Sequence, residues 1–218
     1  MSVPLLGRLH VITDETLQSR LSHIELARLA ADAGADIVQL REKRMLETVE
    51  LVRVASAIVE QLAGGGTKLV VNDRVDVAAA AGAQGVHLGA RDLEPACARR
   101  LLGAEAWIGA TANNVERARR MSREPVDYLG VGPVFRTRSK RDPAPTLGLE
   151  GLRQVVRAVD RPVIAIGGIT PESIPEVLGA GAYGVAVLSA VVASPDPGGR
   201  IAACAEAIAR ASTGGGAE

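Results

Sequence analysis

Aromatic side chains are nearly missing from this chain. Trp107, Tyr128, Phe135 and Tyr183 are the only four in 218 residues, although 47% of the residues are hydrophobic. Any core must therefore be built from Val, Leu, Ile and Ala, and stacking platforms for single-stranded nucleic acid are lacking. Excess charge is missing too: 25 basic side chains balance 25 acidic ones. That balance argues against a general attraction to nucleic acid or to an anionic membrane. An anionic ligand must be held by local charge instead. Cys97 and Cys204 lie far apart with no close Cys or His partner, which makes neither a disulfide framework nor a zinc motif. Both fall on apolar faces of expected helices and read as buried, inert thiols. No apolar run approaches the about 18 residues of a membrane span, and the first eight residues do not read as a signal peptide. A soluble, cytoplasmic protein is expected.

What is present is a strict alternation. Short apolar runs at Leu9–Thr13, Asp36–Leu40, Lys68–Val71, Gly85–Leu88, Trp107–Ala110, Tyr128–Val131, Val163–Ile166 and Gly184–Leu188 read as strands. Helices are expected over Ser22–Ala33, Leu46–Leu62, Val75–Ala81, Leu93–Leu102, Val115–Met121, Leu149–Val159, Pro171–Leu178 and Pro197–Arg210. Three echoes, Ala33-Gly-Ala-Asp, Ala81-Gly-Ala-Gln and Ala180-Gly-Ala-Tyr, each close a helix with a left-handed Gly before the next strand. Strand–helix alternation predicts a parallel sheet, and eight units close a TIM (β/α)8 barrel. One domain over residues 1–211 follows, with 212–218 a fraying tail. An open doubly wound sheet would carry a Gly-rich fingerprint after its first strand; Thr13-Asp14-Glu15 stands there instead.

In such a barrel the residues just past each strand converge on one face, where this fold keeps its chemistry. Those residues are Asp14; Gln39, Arg41 and Lys43; Asn72 and Asp73; His87, with Asp92 a few residues on; Thr111; Thr137, Ser139 and Lys140; Gly167-Gly168; and Ser189. Lysine occurs only at positions 43, 68 and 140, and two of the three fall on this face. Gly167-Gly168 with Val187-Leu188-Ser189-Ala190 reads as a phosphate cradle, because the loops after strands seven and eight commonly bind phosphate through backbone N–H groups. Asp73 and Asp92 suit Mg2+, which takes one or two carboxylates and completes its shell with water and substrate phosphates. The alternative for each is structural: Asp73 or Asp92 as a helix cap, or Asp73 paired with Arg41 or Arg74. With cations on the same rim, the metal reading is preferred.

No Ser–His or Cys–His pair emerges from the strand ends, and the one strand lysine, Lys68, opens its strand at the end away from this face, not where a Schiff-base aldolase would need it. The face is rich in anion-binding groups and poor in acid–base groups. It suits departure of a diphosphate, with charge stabilisation as the main catalytic effect.

Gln39-Leu-Arg41-Glu-Lys43, Val71-Asn72-Asp73-Arg74-Val-Asp76, Gly85-Val-His87-Leu-Gly89-Ala-Arg-Asp92-Leu and Tyr128-Leu-Gly-Val-Gly132-Pro133-Val-Phe occur in that order. Thr137-Arg-Ser139-Lys140, Ala165-Ile-Gly167-Gly168-Ile-Thr170 and Val187-Leu-Ser189-Ala190 follow. Together, from about His10 to Val192, they resemble the thiamine phosphate synthase family. The resemblance implies a TIM barrel transferase that joins hydroxymethylpyrimidine diphosphate to hydroxyethylthiazole phosphate. Diphosphate leaves first, and the thiazole nitrogen attacks the resulting pyrimidine methyl cation. It also implies that Gln39, Asn72 and His87 face the pyrimidine, and that Arg41, Lys43, Asn72, Thr111 and Lys140 hold the diphosphate. Asp73 and Asp92 would hold Mg2+, and Thr137, Ser139, Gly168, Leu188 and Ser189 the thiazole phosphate. Lys43, Thr111 and Lys140 become the catalytic candidates. The partners are small-molecule substrates, and a homo-oligomer is compatible with the sequence.

Two positions depart from the family pattern. Asn113 replaces a frequent His after strand five, and Arg136 stands where Pro is common. A related branch of the fold, the thiazole tautomerases, needs a general base rather than a metal–diphosphate site, and Asn113 lies where that His is expected. A non-catalytic thiamine-phosphate-binding barrel is a third alternative. The long Gly132–Gly148 loop suits a lid.

Overall fold

The computed structural model describes residues 6–44, 46–137, 139 and 144–213. Its strands are β1 (Leu9–Thr13), β2 (Ile37–Leu40), β3 (Lys68–Asn72), β4 (Gly85–Leu88), β5 (Trp107–Ala112), β6 (Tyr128–Val131), β7 (Val163–Ile166) and β8 (Gly184–Val187). Each pairs in parallel with the next, and β8 returns to β1 to close the barrel. The helices are α1 (His23–Asp32), α2 (Thr48–Leu62), α3 (Val75–Ala81), α4 (Pro95–Leu102), α5 (Val115–Ser122) and α6 (Gly148–Val156). A 3-10 turn at Pro171–Ser173 leads into α7 (Ile174–Gly179), and α8 (Ser189–Val192) and α9 (Pro197–Thr213) complete the set. The expected TIM barrel is the observed fold.

Strand side chains alternate between two environments. One parity, including Val38, Leu40, Leu69, Val71, Ile108, Leu129 and Val185, joins the helices in the main hydrophobic cluster. The other parity fills the barrel: Ile12, Tyr128, Ile164 and Ala186 form one interior group, and Ile37, Val70 and Trp107 another. The helices supply the matching stripe. On α2, Leu51, Ala55, Ile58 and Leu62 are buried at helical spacing; burying a side chain such as Leu or Ile stabilises the fold by about 1.5–3 kcal/mol. Gly34, Gly82 and Gly181, the glycines of the three echoes, all have positive φ.

Several boundaries shift for local reasons. Helix α2 begins at Thr48 rather than Leu46. Helix α4 begins at Pro95 rather than Leu93, because proline is pre-set for the first helical position. Strand β5 runs two residues further than expected, since Thr111 and Ala112 pair with Gly130 and Val131. Thr111 is thus a strand residue. Strand β8 stops one residue early, and the short α8 begins at Ser189. Helix α9 continues through Thr213, past the expected end at Arg210, and the Ser212 hydroxyl donates to Ile208 O at 2.8 Å. Residues 214–218 lie outside the described residues. Cys204 is buried as expected, whereas Cys97 is only partly buried, since its place on α4 lies beside the stripe formed by Pro95 and Ala98. Among the described residues no helix is long and apolar enough to cross a membrane.

Candidate active site

The carboxyl ends of the strands carry the polar residues, and their parity decides which of them point into the barrel mouth. Ile37, Gln39 and Arg41 alternate on one line, as do Val70 and Asn72, and Trp107, Gly109 and Thr111. Ile37, Val70 and Trp107 belong to an interior layer, so Gln39, Arg41, Asn72 and Thr111 continue that line upward to the mouth. Register places Asn72 beside His87, and His87 beside Gly109. Thr111 lies beside Gly130.

His87 occupies space that two glycines leave. A Cβ on Gly109 would lie 2.6 Å from His87 Nδ1, and one on Gly130 would lie 2.6 Å from His87 Cε1. The imidazole is held between Tyr128 Oη, 3.2 Å from Nδ1, and Thr111 Oγ1, 3.0 Å from Nε2. Arg117 Nε donates to Thr111 O at 2.9 Å, fixing the strand end from outside. Tyr128 was not among the sequence candidates, because it stands at the start of its strand rather than past its end. Its scarcity as a tyrosine in an aromatic-poor chain was the available signal.

Asp73 is the only described non-glycine residue with positive φ, at 67°. Its N–H donates to His87 O at 2.9 Å, which ties the turn after β3 to β4. The capping alternative fails here: Arg74 is the N-cap of α3 and no side chain caps it. Nor does Asp73 pair with Arg74, whose guanidinium binds Asp76 at 2.6 Å. The Asp73 carboxylate pairs with Lys43. Asp92 does not cap α4, whose N-cap is Glu94; its Oδ2 accepts the Gly89 N–H at 2.6 Å.

The Asp73 and Asp92 carboxyls are neighbours, and each shifts the other's titration. Burial pushes the Asp92 carboxyl up, and the neighbouring Asp73 pushes it further. Burial acts upward on Asp73 as well, but the Lys43 ammonium, by hydrogen bond and charge, and the neighbouring Asp92 carboxyl more than offset it, leaving Asp73 below its ordinary value. Two like-charged carboxyls that close separate in this way, one ionising readily and one late. Arg41 completes the group. Its guanidinium is mostly buried and faces Asp14; burial lowers its pKa and the Asp73 charge raises it.

On the opposite side of the mouth, Val134 N and Phe135 N donate to Ile166 O and Gly167 O, both at 2.9 Å. The segment leading to Thr137 is therefore stitched to the end of β7. Gly167 and Gly168 have φ of 100° and 66°, and a Cβ on Gly168 would lie 2.6 Å from Arg136 O. This close approach requires glycine. Thr137 Oγ1 lies 3.2 Å from Ser139 Oγ. Leu188 packs on the interior group of Ile12, Tyr128, Ile164 and Ala186, and Ser189 opens α8. The first-turn N–H groups of a helix have no intrahelical acceptor. Lys140 lies outside the described residues.

One array escaped the sequence reading. Thr13 Oγ1 lies 2.6 Å from His23 Nδ1, and His23 Nε2 lies 3.3 Å from Glu42 Oε2. A hydroxyl, an imidazole and a carboxylate in line have the form of a nucleophilic relay. However, Thr13 is 0% exposed, so no substrate reaches its hydroxyl. Burial lowers the His23 pKa despite Glu15 and Glu42. The array braces β1, α1 and the residues after β2.

A family model described as thiamine monophosphate synthase matches residues 9–191. The chain belongs to the thiamine monophosphate synthase family. The thiamine-phosphate synthase of Methanoculleus marisnigri is 48% identical over 188 residues, spanning 86% of this chain and 89% of that protein. That of Moorella thermoacetica is 41% identical over 203 residues, spanning 93% and 96%. A solved thiamine phosphate pyrophosphorylase from Pyrococcus furiosus superposes with a TM-score of 0.84 at 34% identity, covering 94% of this chain and 96% of that one. Membership in the thiamine monophosphate synthase family thus extends over the whole barrel, mouth included.

Proposed function

We propose that this chain is a thiamine phosphate synthase, a transferase that joins hydroxymethylpyrimidine diphosphate to hydroxyethylthiazole phosphate. One observation carries the reading. The carboxyl pair of Asp73 and Asp92 stands with Lys43 in ion-pair contact, next to the Arg41 guanidinium, on one rim of the barrel. In the reaction, the bond between the pyrimidine methylene carbon and the diphosphate oxygen breaks, and its electron pair leaves with diphosphate. The thiazole nitrogen then supplies the pair that forms the new carbon–nitrogen bond.

The chain's part is to bind, orient and neutralise. Gln39, Asn72 and His87 face the pyrimidine; Gln39 is 5% exposed, so its amide is set by packing. Arg41, Lys43, Asn72, Thr111 and Lys140 hold the diphosphate. Lys43, Thr111 and Lys140 stabilise the charge that develops on the leaving group. Thr137, Ser139, Gly168, Leu188 and Ser189 hold the thiazole phosphate.

Asp73 and Asp92 would hold Mg2+. Among the described residues there is no cluster of three or more His, Cys, Asp or Glu suited to a metal. A two-carboxylate site fits an ion that takes its remaining ligands from water and substrate phosphates. When bound, the ion neutralises charge on the departing diphosphate. Asn113 offers no base in place of the His that a proton-shifting tautomerase would use. The substrates are small and soluble, and the cytoplasm is the setting proposed for the reaction.

The test is direct. Purified protein, Mg2+ and both substrates should yield thiamine phosphate by chromatography, and a chelator should abolish it. Absence of product with verified substrates overturns the proposal. Chelator-insensitive isomerisation of a thiazole precursor would establish the tautomerase reading, and ligand binding without turnover the non-catalytic one.

A further inference from the structure

Asp14 has no assigned role, and its surroundings are unusual. It follows β1 directly and is 0% exposed. One carboxylate oxygen is fully occupied: Oδ1 accepts from Thr16 N at 2.8 Å, Thr16 Oγ1 at 2.5 Å and Leu17 N at 3.3 Å. The other, Oδ2, accepts no ordinary hydrogen bond and has the Arg41 guanidinium as its ion-pair partner. An ionised carboxylate withdrawn from water costs several kcal/mol unless a charge and hydrogen bonds compensate it. Here the local turn fixes one oxygen, and the other is committed to a single arginine.

The barrel sets up this pair. Parallel register places Ile12 beside Gln39 and Thr13 beside Leu40, so Asp14 comes next to Arg41. Arg41 N donates to Thr13 O at 3.3 Å, which continues the ladder to that point. The Arg41 side chain is 13% exposed, and its guanidinium also feels the charge of Asp73. A guanidinium has five N–H donors in a rigid fork. Gripped at Nη1 from behind, it keeps the rest of the fork for the rim.

We propose that Asp14 is a positioning residue for the diphosphate site: it holds the Arg41 fork in the orientation that receives diphosphate oxygens. The assignment rests on the proposed function, which makes Arg41 a diphosphate ligand. A preset fork loses less conformational freedom on binding than a free arginine would. The Thr13–His23–Glu42 array braces the same strand ends but, among the described residues, forms no hydrogen bond or ion pair with the Arg41 guanidinium, so the two supports are separable.

Calorimetric titration of Mg2+-loaded inorganic diphosphate into wild type, Asp14→Asn, Arg41→Ala and the double variant tests the idea. Asp14→Asn keeps an oxygen for the Thr16 and Leu17 N–H groups, removes the charge facing Arg41 and puts an NH2 donor where Oδ2 had accepted the guanidinium. It should weaken diphosphate binding about tenfold, the scale of one charge-assisted hydrogen bond. The double variant should bind no more weakly than Arg41→Ala alone, because Asp14 acts through Arg41. In steady-state assays the KM for the pyrimidine diphosphate should rise and that for the thiazole phosphate should not. Wild-type diphosphate affinity in Asp14→Asn overturns the assignment, as does a loss that adds fully to that of Arg41→Ala. If Asp14→Asn does not fold, Thr16→Val, at an exposed position, takes its place. That variant should bind diphosphate about two- to threefold more weakly, since it removes one of the three bonds that fix Oδ1 and leaves the Asp14–Arg41 pair in place, and unchanged affinity overturns the assignment. Wild-type protein that binds no Mg2+–diphosphate overturns the proposed function itself, a result distinguishable from either of these.

Discussion

Tyr128 Oη and His87 Nδ1 lie 3.2 Å apart inside the barrel, although the two residues come from strands separated by β5. The contact crosses Gly109, whose missing side chain leaves the opening. Burial raises the Tyr128 phenol well above its ordinary value, so it stays neutral and hydrogen-bonded. On its far side the tyrosine ring packs edge-on against His10 at 5.4 Å.

Tyr128→Phe removes this hydroxyl and little volume. Stability should fall by about 1 kcal/mol, the usual net value of such a bond, measured by urea denaturation. The KM for the pyrimidine diphosphate should rise several-fold, because His87 loses its brace, while the KM for the thiazole phosphate stays constant. Equal increases in both would show that the tyrosine supports the barrel generally.

Asp73 tests charge and backbone separately. Its φ of 67° is tolerated best by Gly, Asn and Asp. Asp73→Asn should therefore fold with wild-type stability and lose Mg2+-dependent activity by more than about a hundredfold, as expected when transition-state charge stabilisation is removed. Asp73→Ala should lose the same activity and a further roughly 1 kcal/mol of stability from the left-handed backbone. Thermal melts beside activity assays separate the two effects.

Gly130→Ala asks whether the His87 niche matters. The new methyl would lie 2.6 Å from His87 Cε1, and overpacking of this kind costs about 1–3 kcal/mol. The imidazole should move away from Thr111, and the KM for the pyrimidine diphosphate should rise. A variant with wild-type kinetics and melting temperature would show that the ring yields freely.

His10 should govern part of the acid response. Burial lowers its pKa to about 3, against the smaller upward pull of its bond to Gly7 O. Its unfolded value is near 6.5, so between the two values the unfolded chain binds the extra proton. Stability is complete above the unfolded value and falls as pH drops toward the folded one, at up to about 1.4 kcal/mol per pH unit. His10→Gln should flatten that decline in a urea series from pH 7 to pH 4. An unchanged slope would assign the acid response to other groups.

The order of strands and helices was legible in the chain because a parallel barrel buries its strands on both sides. Its strands therefore read as apolar runs, and its helices close on left-handed glycines. The positions of Gln39, Arg41, Lys43, Asn72, Asp73, His87 and Thr111 followed from the same alternation, since strand ends in this fold share one face. Element ends were less legible. Thr111 belongs to β5 because Gly130 pairs with it, and α9 runs to Thr213 without any sign of this in the Gly-rich tail.

Only the tertiary structure decided how those residues are used. Side-chain pairing across strands depends on register, which no run of residues states locally. Register brought Asp14 to Arg41, and the turns after β2, β3 and β4 brought Asp73 to Lys43 and Asp92. It also set Tyr128 behind His87 and sealed Thr13, His23 and Glu42 in the interior. Composition and alternation determined that there would be one polar mouth on an eight-stranded barrel. Which carboxylate pairs with a lysine, which holds an arginine and which hydroxyl is unreachable were decided by register and burial, properties of the packed barrel rather than of any segment.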